Sequence, residues 1–532
     1  MHPSLLHIIE DIAILICGIA LFVMGLRYYT HMLQLSSYQF QGYFRVLRSS
    51  ARTMALHVLF LLAYCGFVAA QYRGMRAPFV WAFLALAVIF YVSLFAAYIP
   101  RKAKKKFVIT DRIKRLFVTY TVITVICLLI NIKSIGLLVG LLPLFVAFAA
   151  LINKPVEGRI NQYFIDDAKR ILREHEGLRI IGITGSYGKT SVKYYLTTLL
   201  SEGYRVLMTP ESYNTPMGIV RTIREHMQPT HEIFVCEMGA RHLHDIKEIT
   251  DIVHPDDGIV TSIGYQHLET FHSLDNIIST KYELLDAVDE KEKAEGKEPG
   301  RHLKFVNGDN EIIQKNMKYT DAITYGTSEG CAYRASDIRV GNSGTTFTVT
   351  APDGESAEFG TRLVGRHNVE NIVGAIACAH SLGVPMSKLR MAVKRLQSVP
   401  HRLELNRHGN VSILDDAYNS NPAGAKVALD TLALFDGQVR ILVTPGMVEL
   451  GAKEDEYNGK FGEQAAGVCD YMILVGEKNS ESIKRGAVKA GFDENRIFVK
   501  NTLSEATALM YELESGRDKV ILLENDLPDN YR

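Results

Sequence analysis

Hydrophobic and polar positions are distributed differently before and after about residue 153. Ala77 to Ile99 is 23 residues without a charge, long enough to cross a bilayer. Ser134 to Asn153 is a second such run, and Met54 to Ala70, Phe117 to Ile130 and Ile12 to Leu26 are shorter ones. The pattern predicts four or five transmembrane helices over 1–153. Glu10 and Asp11 precede the first run, where a cleaved leader would carry basic residues. A bundle of buried core helices would account for the shorter runs but not for the longer ones.

From Lys154 onward, short apolar runs alternate with stretches of helical period. The runs Leu178–Thr184, Arg205–Met208, Ile233–Met238, Gly258–Ile263 and Leu303–Val306 read as strands, which predicts a parallel sheet with crossover helices. Asp289 to Arg301 is charged and contains Gly and Pro, and reads as an exposed loop. Residues 335–363 alternate, as in Thr345–Thr350, and read as a small antiparallel section. Helices are expected at 368–382 and 386–397. A second α/β unit begins near Ser398, with strands at Ser412–Leu414, Val439–Val443, Tyr471–Val475, Arg496–Val499 and Lys519–Leu523 and a hinge at Val399-Pro-His-Arg402. The expected domains are 1–153, 154–398 and 399–532.

Composition adds a direction. Net charge is +1, which gives no case for a nucleic-acid partner. The seven cysteines form no C-x-x-C pair, a reduced, cytosol-facing pattern rather than a disulfide framework. With five spans, the loops on one side carry Arg27, Arg45, Arg48, Arg52 and the basic residues between Arg101 and Arg115. The other side carries Arg73, Arg76 and Lys133. Lys and Arg favour the cytoplasmic side, so the C-terminal part is expected there, as a multi-pass protein of the cell membrane. The run 101–106 could also touch anionic head groups of membrane lipid.

The candidate chemistry centres on Ile181 to Ser191. A mostly apolar strand runs into Thr184-Gly185-Ser186-Tyr187-Gly188-Lys189-Thr190-Ser191, and a helical stretch follows. This is the phosphate-cradling arrangement: glycines let backbone N–H groups close around phosphate, and a helix N-terminus favours an anion. Lys189 would reach the outer phosphates and Thr190 would hold Mg2+. The strict pattern wants glycine at 183, where Ile stands. Glu237 ends a strand and can supply a further oxygen to Mg2+. Taken alone, His267 reads as a packed or surface histidine and Lys281 as a solvated helix charge.

Together these segments change that reading. Thr184–Thr190, Asn214-Thr-Pro-Met-Gly218, Cys236-Glu-Met-Gly-Ala240, His267-Leu-Glu-Thr-Phe271, Lys281-Tyr-Glu283, Gly365–Asn371, His401-Arg-Leu-Glu404 and Asp415–Pro422 resemble, in order and spacing, the Mur ligase family of ATP-dependent amide ligases. Within that family they are most similar to the branch that adds D-alanyl-D-alanine. The resemblance covers roughly 155–450. It implies a P-loop Mur-ligase-like central ATPase domain and a smaller Rossmann-like α/β C-terminal domain behind the α-helical membrane domain. It also implies that Gly185, Ser186, Gly188, Lys189, Thr190 and Ser191 bind ATP, and that Thr190 and Glu237 bind a first Mg2+. His267 matches the ligand of a second Mg2+, and Lys281 the lysine that is carbamoylated in several members. His367, Asn368 and Asn371 match the adenine-binding segment, Arg402 a phosphate-contacting arginine and Asp416 a ribose-binding aspartate. The implied reaction activates a carboxylate as an acyl phosphate, which an amine then attacks. The implied catalytic set is Lys189, His267, Lys281 and Arg402.

Some segments depart from the family. Membrane helices stand where a UDP-sugar domain is usual. Leu522–Asp529 replaces a Lys-Gly-Ser segment, Thr444-Pro445 precedes Glu449 unusually, and Ser262 replaces an expected Asn. The expected partners are therefore ATP, a carboxylate-bearing cell-wall precursor in soluble or lipid-linked form, and an amino acid or dipeptide amine. A poly-γ-glutamate synthase-type ligase and a nucleotide-binding membrane scaffold remain as alternatives. A transport ATPase is disfavoured, because His57 is a lone ionisable residue within the apolar runs.

Overall fold

The computed structural model describes residues 3–99, 106–296, 301–341, 344–417, 420–448 and 450–525. It divides into two compact units, one within residues 1–163 and one within 164–527. Most of the basic run 101–106, Glu449, and Tyr418 and Asn419 of the Asp415–Pro422 segment lie outside the described residues, as does the chain after Asn525.

In the first unit, Ile12–Leu35, Ala51–Tyr72, Pro78–Ala97 and Asp111–Ile130 are helices long and apolar enough to span a membrane. The fifth expected span is not a single helix. Ser134–Gly140 and Leu142–Glu174 meet at 89°. Pro143 explains the break: it offers no N–H, and in a continuous helix its ring would strike the carbonyl four residues earlier. At the second residue of the new helix it is tolerated. Gly136 keeps the short helix close to its neighbour, since a Cβ there would lie 2.2 Å from Cζ of Tyr64. His57 is 3% exposed. Its Nε2 lies 2.8 Å from the Tyr29 hydroxyl and 2.7 Å from that of Tyr98, and its Nδ1 3.1 Å from the Val139 carbonyl. The one ionisable residue singled out within the spans thus ties helices to the break, a structural role. Arg115 forms a two-pronged ion pair with Glu157 at 2.6 and 2.8 Å.

The second unit holds two sheets. The larger contains β1 (Arg179–Thr184), β2 (Val206–Met208), β3 (Ile233–Glu237), β4 (Asp257–Val260), β5 (Lys304–Asn307), β6 (Ile323–Gly326), β7 (Tyr333–Gly341), β8 (Gly344–Thr350) and β9 (Ser356–Thr361). Their order is β2-β3-β1-β4-β5-β6-β7-β8-β9, parallel from β2 through β7 and antiparallel beyond. Both faces of the parallel part are covered, which is why its strands read as continuous apolar runs. Helices Lys189–Leu200 and Arg366–Ser381 help cover one face, and Pro216–His226, Asp245–Val253 and Leu274–Glu295 the other. Fully buried side chains such as Leu196, Leu199, Ile249 and Leu284 each contribute roughly 1.5–3 kcal/mol of hydrophobic stabilisation.

The smaller sheet contains β10 (Glu404–His408), β11 (Val411–Asp416), β12 (Val439–Thr444), β13 (Tyr471–Val475), β14 (Ile497–Lys500) and β15 (Lys519–Glu524), in the order β10-β11-β15-β12-β13-β14. Only β10, paired with β11, is antiparallel among these described strands.

Two expectations need correction. Asp289–Glu295 is not loop but the end of helix Leu274–Glu295; Glu, Lys and Ala are good helix formers, and Gly296 in the left-handed region at φ 58° ends the helix. The expected strand Gly258–Ile263 stops at Val260, because Thr261 to Gly264 are diverted to hold the phosphate loop.

Candidate active site

Parallel order places the carboxyl ends of β3, β1 and β4 side by side, the edge where open α/β sheets bind ligands. The loop after β1 is braced by the end of β4. Ser186 N–H donates to the Ser262 carbonyl at 2.9 Å, and Tyr187 N–H donates to Ser262 Oγ at 2.8 Å. Thr261 Oγ1 donates to the Tyr187 carbonyl at 2.5 Å. Ser262, a departure from the family pattern, therefore still supports the loop. Glycine is required at two points. A Cβ on Gly185 (φ 151°) would lie 2.1 Å from Thr261 Oγ1, and one on Gly188 (φ 83°) 2.6 Å from Asn371 Oδ1. Asn371 is thereby placed against the loop.

Lys189 opens the helix Lys189–Leu200 and folds back, donating to the Gly185 carbonyl at 2.6 Å and the Ser186 carbonyl at 3.3 Å. Burial lowers its ammonium to about 8; Glu237 acts in the opposite sense and Arg402 in the same sense. Thr190 Oγ1 donates to Glu237 Oε1 at 3.2 Å, and Asn214 Nδ2 donates to the same oxygen at 3.0 Å. Lys193 Nζ lies 3.1 Å from Glu237 Oε2. Burial pushes the Glu237 carboxyl up, but Lys193, Lys189 and the Asn214 hydrogen bond outweigh it and hold it below the usual carboxylate range. An ionised carboxylate oxygen beside a threonine hydroxyl is a hard oxygen set that suits Mg2+. Lys193 and Asn214 were not among the expected site residues. Their signal is Lys193 four residues after Lys189, on the same helix face and amid apolar neighbours.

Lys281 lies on helix Leu274–Glu295 and is 2% exposed. Its ammonium has no hydrogen-bond or ion-pair partner among the described residues. Burial drives it far below its ordinary value, and Lys189 adds to the effect; Asp245, Glu283 and Glu237 oppose it. Reading Lys281 alone as a solvated helix charge is overturned by this burial. His267 takes the left-handed conformation at φ 52° and starts the short helix Leu268–Phe271. His401 (φ 58°) and Leu403 (φ 48°) at the hinge do the same. Such backbone costs about 1–3 kcal/mol per residue and concentrates at functional sites.

The remaining expected residues separate into two groups. Arg402 acts electrostatically on Lys189, Lys193 and Asp416, which brings the hinge and the smaller sheet to the phosphate loop. Burial raises Asp416 to about 6, against Arg402 and the Leu403 N–H. Burial lowers His367 to about 4. Ser191 hydrogen-bonds Tyr195. Asn368 is committed internally: its Oδ1 accepts from Tyr195 at 2.9 Å and its Nδ2 donates to the Val364 carbonyl at 2.9 Å. It holds the helix Arg366–Ser381 in place rather than presenting an amide to a ligand. At the end of β15, Glu524 is 1% exposed, bonded by the Ser420 hydroxyl and by Thr444 Oγ1 at 2.8 Å, and raised to about 7 by burial. Where the family pattern has Lys-Gly-Ser, this chain buries an acid.

Comparison with known proteins agrees with this geometry. Residues 183–379 match the Mur ligase middle domain and 401–524 the Mur ligase, glutamate ligase domain. The chain is 30% identical over 332 residues to the UDP-N-acetylmuramoyl-tripeptide–D-alanyl-D-alanine ligase of Bacillus subtilis, covering 62% of this chain and 69% of that one. Its Escherichia coli counterpart is 28% identical over 350 residues, 63% of this chain and 74% of that one. Among solved structures, MurF from Acinetobacter baumannii superposes with a TM-score of 0.61 at 23% identity, over 69% of this chain and 77% of that one. MurF from Thermotoga maritima, solved with ADP, gives 0.59 at 24% identity, over 69% and 80%. The chain belongs to the Mur ligase family of ATP-dependent amide ligases.

Proposed function

We propose that this protein is a membrane-anchored ligase that joins a carboxylate of a muramoyl peptide precursor to an amine at the cytoplasmic face. The observation that carries the reading is Lys281: a buried, partnerless amine within the electrostatic reach of Lys189 and Glu237. Nucleotide binding alone needs no such group. Burial disfavours its charged form, and as the free amine it can add to carbon dioxide, lose a proton and become a carbamate, whose oxygens would serve a second Mg2+ together with His267. Relatives named as UDP-N-acetylmuramoyl-tripeptide–D-alanyl-D-alanine ligases support that dipeptide as the amine and a UDP-muramoyl tripeptide as the acceptor. The apolar helices of the first unit favour a second version of the same reading, with a lipid-linked acceptor.

The chain's own residues do the following. The N-terminus of helix Lys189–Leu200 receives phosphate through its backbone N–H groups, while Ser186 and Tyr187 keep theirs on Ser262 and hold the loop in shape. Lys189 exchanges its two loop carbonyls for phosphate oxygens. Thr190 and Glu237 Oε1 would hold Mg2+, which supplies charge neutralisation on the phosphates. Asn371, against Gly188 of the loop, and His367 are the residues that would meet the base, and Asp416, within the electrostatic reach of Arg402, the one that would hold ribose. Arg402 brings a second positive charge from the hinge to the transferred phosphoryl group. The substrate carboxylate attacks that group and displaces ADP, forming an acyl phosphate; the amine then attacks the acyl carbon and displaces phosphate, and the nitrogen loses a proton to give the amide. No protein nucleophile is needed; placement and fixed charge lower the barrier.

Phosphate release by detergent-solubilised protein tests the reading. ATP and Mg2+ are offered with D-alanyl-D-alanine or glutamate, and with a UDP-muramoyl tripeptide, its lipid-linked form, or no acceptor. Release is expected with D-alanyl-D-alanine and a muramoyl acceptor. Release with glutamate alone would replace the reading with a polymer-forming ligase, and none under any pairing would leave a scaffold. Lys281→Ala should lower turnover by roughly 10²-fold or more and regain part of it with formate or acetate; an indifferent variant would contradict the role given to Lys281. The pH dependence has a definite sign. The ammonium of Lys189 binds phosphate, and its value sits near 8 rather than 10.5. Nucleotide affinity should therefore fall as pH rises through about 8, by up to about tenfold per unit. Calorimetric titration between pH 7 and 9.5 measures this, and a flat profile would place Lys189 elsewhere.

A further inference from the structure

At the edge of the larger sheet opposite the phosphate loop, three side chains converge. Asp256 precedes β4, His302 precedes β5, and Glu295 is the last residue of helix Leu274–Glu295. Their ligand atoms all lie within 4.8 Å of one another. His302 is 4% exposed. Its Nδ1 lies 3.0 Å from the backbone carbonyl of Asp256, which can only accept, so the proton is on Nδ1. Nε2 is buried and without a hydrogen-bond partner. It faces Glu295 Oε2 at 3.4 Å. A carbonyl that fixes the ring tautomer through the far nitrogen is the usual support of a metal-binding histidine.

We propose that Asp256, Glu295 and His302 form a binding site for a divalent transition-metal ion of the Zn2+ type. Tetrahedral coordination at about 2.0–2.1 Å places neighbouring ligand atoms about 3.3 Å apart, which the Nε2–Oε2 separation already meets. One imidazole and two carboxylates are a nitrogen–oxygen set suited to Zn2+. The surroundings are consistent. Asp256 Oδ2 accepts from Ile180 N–H at 2.8 Å, which fixes the carboxylate. Its Oδ1 lies 3.7 Å from His302 Nδ1 and accepts from Lys291 at 2.7 Å; Lys291 also donates to the His254 carbonyl at 2.8 Å and keeps that partner when Oδ1 is given to the ion. Arg179 pairs with Asp257 and donates to the Arg301 carbonyl at 2.9 Å, while Leu303 N–H donates to Asp257 at 2.8 Å. The backbone on either side of His302 is therefore held before an ion arrives. An ion there ties the end of the helix that carries Lys281 to the starts of β4 and β5. Its distance from the phosphate loop makes it a stabilising site.

Zn2+ titration of the full-length, chelator-stripped protein in detergent, against a chromophoric competitor and without ATP or Mg2+, tests this. Wild type should take up one more equivalent than Glu295→Gln, with a rise in melting temperature that Glu295→Gln lacks. His302→Gln should weaken uptake at least tenfold. Because His302 is buried and its variant can misfold, the partly exposed Glu295→Gln decides, provided its nucleotide affinity matches wild type. Equal uptake by wild type and Glu295→Gln overturns the site. So does an imidazole that titrates as a His302–Glu295 ion pair with no response to Zn2+.

Discussion

A single buried carboxylate, Glu237, organises the site. An isolated ion at 1% exposure would cost several kcal/mol in lost hydration. It is kept charged by Lys193, Lys189, Thr190 and Asn214, drawn from the helix after β1 and the segment after β2. Removing one partner of such a pair costs about 3–5 kcal/mol, because the other charge is left uncompensated. The parallel order β3-β1-β4 is what allows the arrangement. It brings the loop, the carboxylate and the Thr261–Gly264 brace to one edge, while the helices on both faces exclude water from the walls.

Charge around Glu237 is arranged for something to arrive. Lys189 spends its hydrogen bonds on loop carbonyls, and burial lowers its ammonium, so a phosphate is a better partner than the present ones. Lys281 is buried with no partner, and its neutral form is favoured for the same reason. Arg402 extends the field to the hinge and to Asp416. Two cationic side chains and a buried amine whose charged form is disfavoured, around one carboxylate, form a site whose repulsions are relieved by a polyanion and hard cations together.

The first unit obeys the opposite solvent rule. Its interior holds polar links such as His57 with Tyr29 and Tyr98, while Ile16, Trp81, Val118 and Leu129 are 62–83% exposed. Outward apolar and inward polar groups suit a lipid surround, which supports the proposed anchoring. Much of this was legible in the sequence. Uninterrupted apolar length marked the long apolar helices, and the glycine spacing before Lys189 marked the loop, because each is set by local chemistry. The break at Pro143 was legible only in hindsight: the run is apolar throughout, and one missing N–H outweighs it. Asp289–Glu295 was misread because charge and nearby Gly and Pro suggested a loop, whereas helix propensity extended the helix to Gly296. Lys193, and the internal commitment of Asn368, depend on contacts with residues 44 and 173 positions away. No local pattern carries such pairings.

The most direct test of carboxylate activation is isotopic. The muramoyl acceptor would be prepared with 18O in its reacting carboxylate and turned over with ATP, Mg2+ and the amine. Mass spectrometry would then read the phosphate released. The account predicts one 18O transferred to each phosphate, because the carboxylate oxygen that attacks the phosphoryl group leaves with it. Phosphate free of the label, with amide still formed, would contradict activation through an acyl phosphate and with it the role given to this site.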